Sequence, residues 1–468
     1  MSGTRGARFE LKGVPVMSDV VKPGSSNDHE VAKDRRRVLT LSTTGFTLMF
    51  AVWLMFGVLG IPIRDEFGLT DVQLSWLTAT AILNGALWRL PAGVAADRFG
   101  GRRVFIAMLV GTAVPTFLVS QAGSFAVLLT LAFFAGFAGN AFSVGIAWNS
   151  AWYPRERQGF ALGVFGAGNV GASVTKLIGP GLIAAVPSLT VLGLTFDGWR
   201  FVPLLYAVLL LIMALAMWRF TPANDRKPGN GRSLAAMLAP LRALRVWRFS
   251  LYYLVVFGAY VALSAWLPKY YVDVFEIPLA GAALLTALFI FPASLLRPLG
   301  GHLSDRFGAR RVMYATFAAM LLGTGVLMMP YGHIVVRVSE EVGPDGLREV
   351  LPYALNVWTF TVLVFVVGVA MGIGKAAVYK HIPEYFPDDV GAVGGLVGTL
   401  GALGGFVLPP MFAYLQLWTG MPQSTFFLLF VLTLVATVWM HLTIHGMLNR
   451  RSPELGSRFE LPDASTGP

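Results

Sequence analysis

"RLPAGVAADRFGGRRV", residues 89–104, and "RPLGGHLSDRFGARRV", residues 297–312, are two copies of one string, set 208 residues apart. Nine of the sixteen aligned positions are identical: Arg89/Arg297, Gly93/Gly301, Asp97/Asp305, Arg98/Arg306, Phe99/Phe307, Gly100/Gly308, Arg102/Arg310, Arg103/Arg311 and Val104/Val312. Each copy closes an apolar stretch with a short polar loop, and each carries an arginine inside that stretch. A duplicated membrane chain with one cation in each half points to a transporter, and to anions as its cargo.

Composition says what kind of molecule carries the repeat. With 55% hydrophobic residues, 13% charged residues and a mean hydropathy of +0.65, the chain is not a soluble globule. Its apolar blocks run to about 20 residues, the length a helix needs to cross a hydrocarbon core of about 30 Å. They are continuous rather than alternating, which selects helices over a barrel. The blocks number twelve, and the expected organisation is a polar, disordered tail over 1–39, a six-helix bundle over 40–219, a linker over 220–248, a second six-helix bundle over 249–446 and a tail over 447–468.

The net charge of +11 sits in loops beside apolar blocks, which fits the positive-inside rule and gives no reason to invoke nucleic acid. The linker carries Arg226, Lys227, Arg232, Arg242, Arg245 and Arg248 against one acid, Asp225, so it and both termini are expected in the cytoplasm. Residues 1–37 are polar and end in the basic run Lys33, Arg35, Arg36 and Arg37, which reads as an orienting anchor rather than a cleavable signal. There are no cysteines, hence no disulfide or thiolate metal site. No nucleotide loop, metal cluster or nucleophile–base pair is present, so an enzyme is not expected, nor a cofactor.

Depth singles out two arginines. Arg89 precedes Asp97 by eight residues and Arg297 precedes Asp305 by eight, which places each guanidinium about 12 Å inside the cytoplasmic loop. A cation at that depth costs at least ~2.5 kcal/mol and should face the interior with a partner. No Asp or Glu lies in the middle of any span. The remaining partners are a bound anion or backbone carbonyls, and the planar fork of arginine favours an oxyanion over chloride.

The loops "GVAADRFGGRR" and "GHLSDRFGARR" resemble the signature between the second and third helices of the major facilitator superfamily, and two parallel six-helix halves are its architecture. The resemblance implies an all-α polytopic fold of twelve transmembrane helices with the substrate near mid-bilayer between the halves. It also implies that Asp97, Arg98, Arg102, Arg103, Asp305, Arg306, Arg310 and Arg311 gate the cytoplasmic side, the bland alternative being plain topogenic loops.

A narrower resemblance lies in the fifth and eleventh spans. "FGAGNVGASVTKLIGP" (165–180) and "GGLVGTLGALGGFVLP" (394–409) are similar to the two signatures of the nitrate/nitrite porter family, which covers the chain from about 40 to 446. Glycines at these spacings also serve close helix packing alone. The family likeness implies that Arg89 and Arg297 clamp nitrate, that Asn169 donates hydrogen bonds to it, and that Gly168 and Gly171 of the first signature and Gly401 of the second belong to the substrate site. It further implies that Phe142, Phe257 and Tyr253 sandwich the flat anion. No metal is implied, and the oligomeric state is left open, a monomer being compatible with the reading.

Lys375, eleven residues before Phe386, departs from the exchange-type pattern and lies about 16 Å deep. A lysine can give up its proton where an arginine cannot. "GKAAVYKHIP" (374–383) resembles the nitrate/proton symporter subgroup, so the sequence favours an inner-membrane importer that moves nitrate with protons. Nitrate/nitrite antiport is the alternative. A porter for phosphate or small organic acids and a nitrate sensor without transport stand further off, because two arginines with an aromatic sandwich suit a small flat anion and the tails are too short for a signalling domain. The expected partners are thus nitrate, nitrite, protons and the lipids of the membrane.

Overall fold

Arg89 and Arg297 each open a new helical segment just after a break, and the two breaks share one backbone conformation. Trp88 has φ −88° and ψ 5°, and Leu296 has φ −83° and ψ 4°. Each segment then ends at a left-handed glycine, Gly100 at φ 92° and Gly308 at φ 85°, a conformation that a side chain would strain. The duplication read in the sequence is therefore a duplication of backbone geometry.

In the computed structural model, the described residues are 26–450 apart from 187, 192, 228–233, 331, 338–346, 354 and 387–388. In the first half the spans are α1 (Ser26–Trp53) with α2 (Phe56–Phe67), α3 (Asp71–Leu87) with α4 (Arg89–Phe99), α5 (Gly101–Val119), α6 (Phe125–Ala135) with α7 (Ala141–Trp152), α8 (Arg155–Ala167) with α9 (Gly171–Ala185), and α10 (Phe201–Phe220). A short helix, α11 (Leu234–Leu238), lies in the linker. The second half comprises α12 (Leu244–Tyr253) with α13 (Ala259–Phe275), α14 (Leu279–Leu295) with α15 (Arg297–Phe307), α16 (Ala309–Leu327), α17 (Val357–Tyr385), α18 (Val390–Thr419) and α19 (Ser424–Arg450).

Among the described residues, nine helical stretches are long and apolar enough to cross a membrane, ten if the α14–α15 pair, bent by 43°, is one span. The other two of the twelve spans expected from the sequence are α3–α4, which carries the buried polar Asn84 and Arg89, and α16, which opens on Arg310 and Arg311. Those polar groups dilute the apolar character of both.

Three details differ from the sequence reading. The part of the expected disordered tail from residue 26 to 39 is helical, because α1 begins at Ser26 and carries the basic run out of the apolar zone. The loops after α9 and α16 form antiparallel hairpins, β1 (Leu189–Val191) with β2 (Leu194–Phe196) and β3 (Gly332–Arg337) with β4 (Leu347–Tyr353). The last helix runs on to Arg450, beyond the expected boundary at 446.

Irregular turns interrupt the helices where the halves meet. A 3-10 turn at Gly168–Val170 separates α8 from α9, and a π-helical turn at Leu254–Gly258 joins α12 to α13. Such irregular backbone at membrane depth persists where it is buried in protein or lines a cavity. Gly171 follows the first turn because a Cβ there would overlap the carbonyl of Thr47 on α1.

Candidate anion-binding site

The breaks before Arg89 and Arg297 aim both guanidiniums at one ring. The Arg89 carbon lies 5.7 Å from the centroid of Phe142 and the Arg297 carbon 5.5 Å from it. Phe142 stands near the start of α7, just after the 3-10 turn Gly136–Asn140. Arg89 is 2% exposed and also lies 5.4 Å from the rings of Trp53 and Phe257. Arg297 lies 5.3 Å from the ring of Tyr379. Aromatic faces are negative and attract cations, more strongly when both are desolvated.

The arginines are only partly satisfied. Arg89 donates from Nε to the Gly85 carbonyl at 2.9 Å and from Nη1 to the Gly398 carbonyl at 3.2 Å, across to the other half. The carbonyl partners weighed from the sequence are thus real for Arg89. Its Nη2 and the Nη1 of Arg297 are nevertheless buried without a hydrogen-bond partner. Neither arginine pairs with a carboxylate among the described residues. Buried donors left unmatched cost about 1–3 kcal/mol each, more when charged, so each calls for a ligand or an explanation.

The other residues implied by the family likeness lie around the same point. Asn169 sits in the 3-10 turn, 1% exposed, with Nδ2 and Oδ1 both unpartnered. Gly168 and Gly171, on either side, let this turn press against α1 at Phe46 and Thr47. From the second half, Tyr253 and Phe257 stack at 4.9 Å with their planes 14° apart, and the Tyr253 hydroxyl is buried and unpartnered. The ring of Tyr253 packs on Gly401 of α18, where no side chain would fit. The structure therefore brings Arg89, Arg297, Phe142, Tyr253 and Phe257 together at the junction of the halves, with Asn169 on the adjoining turn and Gly401 behind Tyr253, while Gly168 and Gly171 face α1 within the first half.

Lys375 joins them from α17. It is fully buried; its Nζ donates to the Ala293 carbonyl at 2.8 Å and lies 3.2 Å from the centroid of the Tyr260 ring and 5.6 Å from that of Phe257. The site is thus made of three cations and a ring of aromatics, and can hold a small flat anion by charge, by converging N–H and O–H donors, and by aromatic faces.

Sequence reasoning missed several participants. Tyr379 and Trp53 cradle the two arginines, yet each reads as one more aromatic on a membrane helix. Tyr260 reaches across the halves, its hydroxyl 2.9 Å from Ser294 Oγ and 3.4 Å from the Asn169 carbonyl. Also missed was a clasp at the outer end. Arg64 pairs with Asp71 at 3.5 Å and, across the halves, with Asp273 at 3.3 Å; Lys269 reaches Asp71 at 3.1 Å and Asp273. The mixture of acids and bases around 64–71 and 269–273 was the available signal.

Of the expected cytoplasmic gating residues, Arg98, Arg102, Asp305 and Arg306 make side-chain contacts within their own halves. Arg102 donates to Thr221 Oγ1 at 2.9 Å and to the Trp218 carbonyl at 2.6 Å. Asp305 pairs with Lys380 at 2.6 Å. Arg98 and Arg306 lie against the rings of their neighbours Phe99 and Phe307. Asp97 is half-buried and makes no hydrogen bond or ion pair among the described residues. Arg103, Arg310 and Arg311 begin α5 and α16 beside the left-handed glycines.

Comparison with known proteins matches these features. A family model described as Major Facilitator Superfamily matches residues 41–336 and 277–460. The chain is 68% identical over 429 residues to the probable nitrate/nitrite antiporter NarK1 of Thermus thermophilus, covering 92% of this chain and 96% of that one. It is 31% identical over 406 residues to a nitrite extrusion protein of Bacillus subtilis, covering 86% of this chain and 94% of the relative. Among solved structures, a bacterial homolog of the human lysosomal transporter Spinster, inward-facing and unoccupied, superposes with a TM-score of 0.69 at 16% identity, over 91% of this chain and 98% of the other. That last likeness speaks for the fold alone.

Proposed function

Because the chain belongs to the major facilitator superfamily and, within it, to the nitrate/nitrite porter family, we propose that it carries nitrate and nitrite across the bacterial inner membrane, one against the other, by alternating access at the Arg89/Arg297 site. The observation that carries this reading is the set of buried, unmatched donors at the junction of the halves: Arg89 Nη2, Arg297 Nη1, Asn169 Nδ2 and the Tyr253 hydroxyl. A flat oxyanion offers acceptors in its plane to such donors, and its faces to Phe142 and Phe257.

The chemistry of movement follows from charge. Two guanidiniums in a medium of low dielectric repel each other, and a bound anion offsets that repulsion. Arg89 belongs to one half and Arg297 to the other, so loading favours their approach, and the halves can rock around the anion. An empty site resists the same motion, which ties reorientation to cargo. On an exchanger the site returns only with an anion of either kind.

Exchange is preferred to the proton symport favoured at the sequence level because the relative at 68% identity is named a probable antiporter. One observation keeps symport as a second reading: Lys375 is fully buried beside the anion donors, and lysine, unlike arginine, can carry a proton. Liposomes separate the two. With nitrite inside and no pH gradient, exchange predicts rapid nitrate entry, unchanged by a protonophore. Accumulation of nitrate against its gradient with no nitrite inside, driven by an alkaline interior and lost in Lys375→Met, would establish symport instead.

A further inference from the structure

A basic cleft lies far from the anion site, where the first helix leaves the membrane. A cavity of about 540 Å³ opens between the beginning of α1 and the end of α10. His29, Lys33, Arg36 and Arg37 form one wall, and Leu41 and Phe220 are apolar residues at the other end. The spacing explains the wall: residues three, four and seven apart fall on one face of a helix, so the cations stand one above another along about two turns.

The orientation of that face is fixed. Arg35 points to the opposite side, where its Nε donates to the Trp152 carbonyl at 2.8 Å and its own carbonyl accepts from the Tyr153 hydroxyl at 3.2 Å. Of the cations on the cleft, Arg37 pairs with Asp34 at 3.5 Å, whereas Lys33 and Arg36 are exposed and meet no carboxylate among the described residues. The sequence reading treated the whole run as a topogenic anchor, yet the structure divides it between an internal tie and an open cationic face.

The level of the cleft identifies its occupant. Phe220 is the last residue of the sixth span and is 55% exposed; Trp218, beside it, is 60% exposed. A tryptophan such as Trp218 marks the headgroup level of a bilayer, with Phe220 beside it. A cationic wall above apolar residues matches a phosphate group above acyl chains, whereas a soluble phosphate would make no use of Leu41 or Phe220. Basic pockets between spans on the cytoplasmic side bind anionic headgroups in this way.

We propose that the cleft between α1 and α10 binds an anionic phospholipid of the cytoplasmic leaflet, its phosphate held by Lys33, Arg36 and Arg37 and its acyl chains lying against Leu41 and Phe220. This holds whether the cargo moves by exchange or by symport.

The test is native mass spectrometry of the full chain in detergent, titrated with phosphatidylglycerol, with phosphatidylcholine of the same chains, and with glycerol 1-phosphate. The expected result is one tightly held phosphatidylglycerol, with much weaker binding of the other two. The double variant Lys33→Gln/Arg36→Gln should weaken phosphatidylglycerol by roughly 30-fold, at about fivefold per cation removed from the surface. Arg242→Gln/Arg245→Gln, on the linker away from the cleft, should leave it unchanged. Ala32→Glu, which places a negative charge on the lining, gives an independent arm and should reduce binding without removing a cation. Equal binding of phosphatidylcholine, equal binding of glycerol 1-phosphate, or phosphatidylglycerol binding indifferent to both cleft variants would each overturn the proposal.

Discussion

The fourth and tenth spans occupy equivalent places in the two halves, and they differ where it matters. Phe142 lies eleven residues before Tyr153, which closes the fourth span, and Lys375 lies eleven before Phe386, which closes the tenth. One half thus offers a ring that both guanidiniums face, and the other an ammonium held over Tyr260. The arginines show the same divergence. Arg89 is fastened to two carbonyls, one in each half, while Arg297 is held chiefly between rings and has a free Nη1. Duplication supplied matching positions, and the site arose by filling them differently.

The largest effect should come from the feature the halves share. Arg89→Lys and Arg297→Lys keep the charge but lose the planar fork, and each should lower nitrate exchange in liposomes by about 100-fold, as for loss of a buried charge-assisted contact worth roughly 2–5 kcal/mol. If Arg297→Lys retained more than a tenth of the rate while Arg89→Lys retained none, the clamp would rest on one half only. Next comes the ring between them. Phe142→Leu removes a face from both guanidiniums and should weaken nitrate about tenfold, measured as the nitrate concentration for half-maximal exchange. Phe257→Leu, whose ring faces Arg89 and the more distant Lys375, should do less; the reverse order would mean that Phe142 is simple packing.

The smallest effect belongs to the crossing contact. Tyr260→Phe keeps the ring beneath Lys375 and removes the hydroxyl that reaches Ser294 and the Asn169 carbonyl. A neutral hydrogen bond of about 1 kcal/mol predicts a fall of roughly fivefold in exchange rate. Because the cation contact survives, a much greater loss would show that the hydroxyl itself moves protons or cargo.

How much of this was legible in the sequence depended on whether a residue stands out against lipid. Arg89, Arg297 and Lys375 did, because an ionisable group deep in a span is costly and must have a reason. The glycine signatures placed Asn169 by likeness, and the structure puts that residue at a helix break. Tyr379, Trp53 and Tyr260 did not stand out, since thirteen tyrosines and twelve tryptophans are spread over the chain and only the folded geometry shows which ones meet a cation. The outer clasp was hidden for another reason: Arg64 and Asp273 are 209 residues apart, and pairing between halves leaves no local pattern. The helical extension from residue 26 was missed because its polar composition resembles that of a disordered tail.

Asp225, the lone acid among the linker's bases, has a mechanical consequence. Its carboxylate accepts from the indoles of Trp148 at 2.8 Å and Trp152 at 3.0 Å, and from the backbone of Arg102 at 2.9 Å. The connector is therefore moored to the first half at a point just past α10, and only the chain beyond it can pay out when the second half swings. It works as a short leash with one fixed end, so shortening the chain after Asp225 should limit how far the halves can part, while cutting the mooring would lengthen the leash without adding a residue.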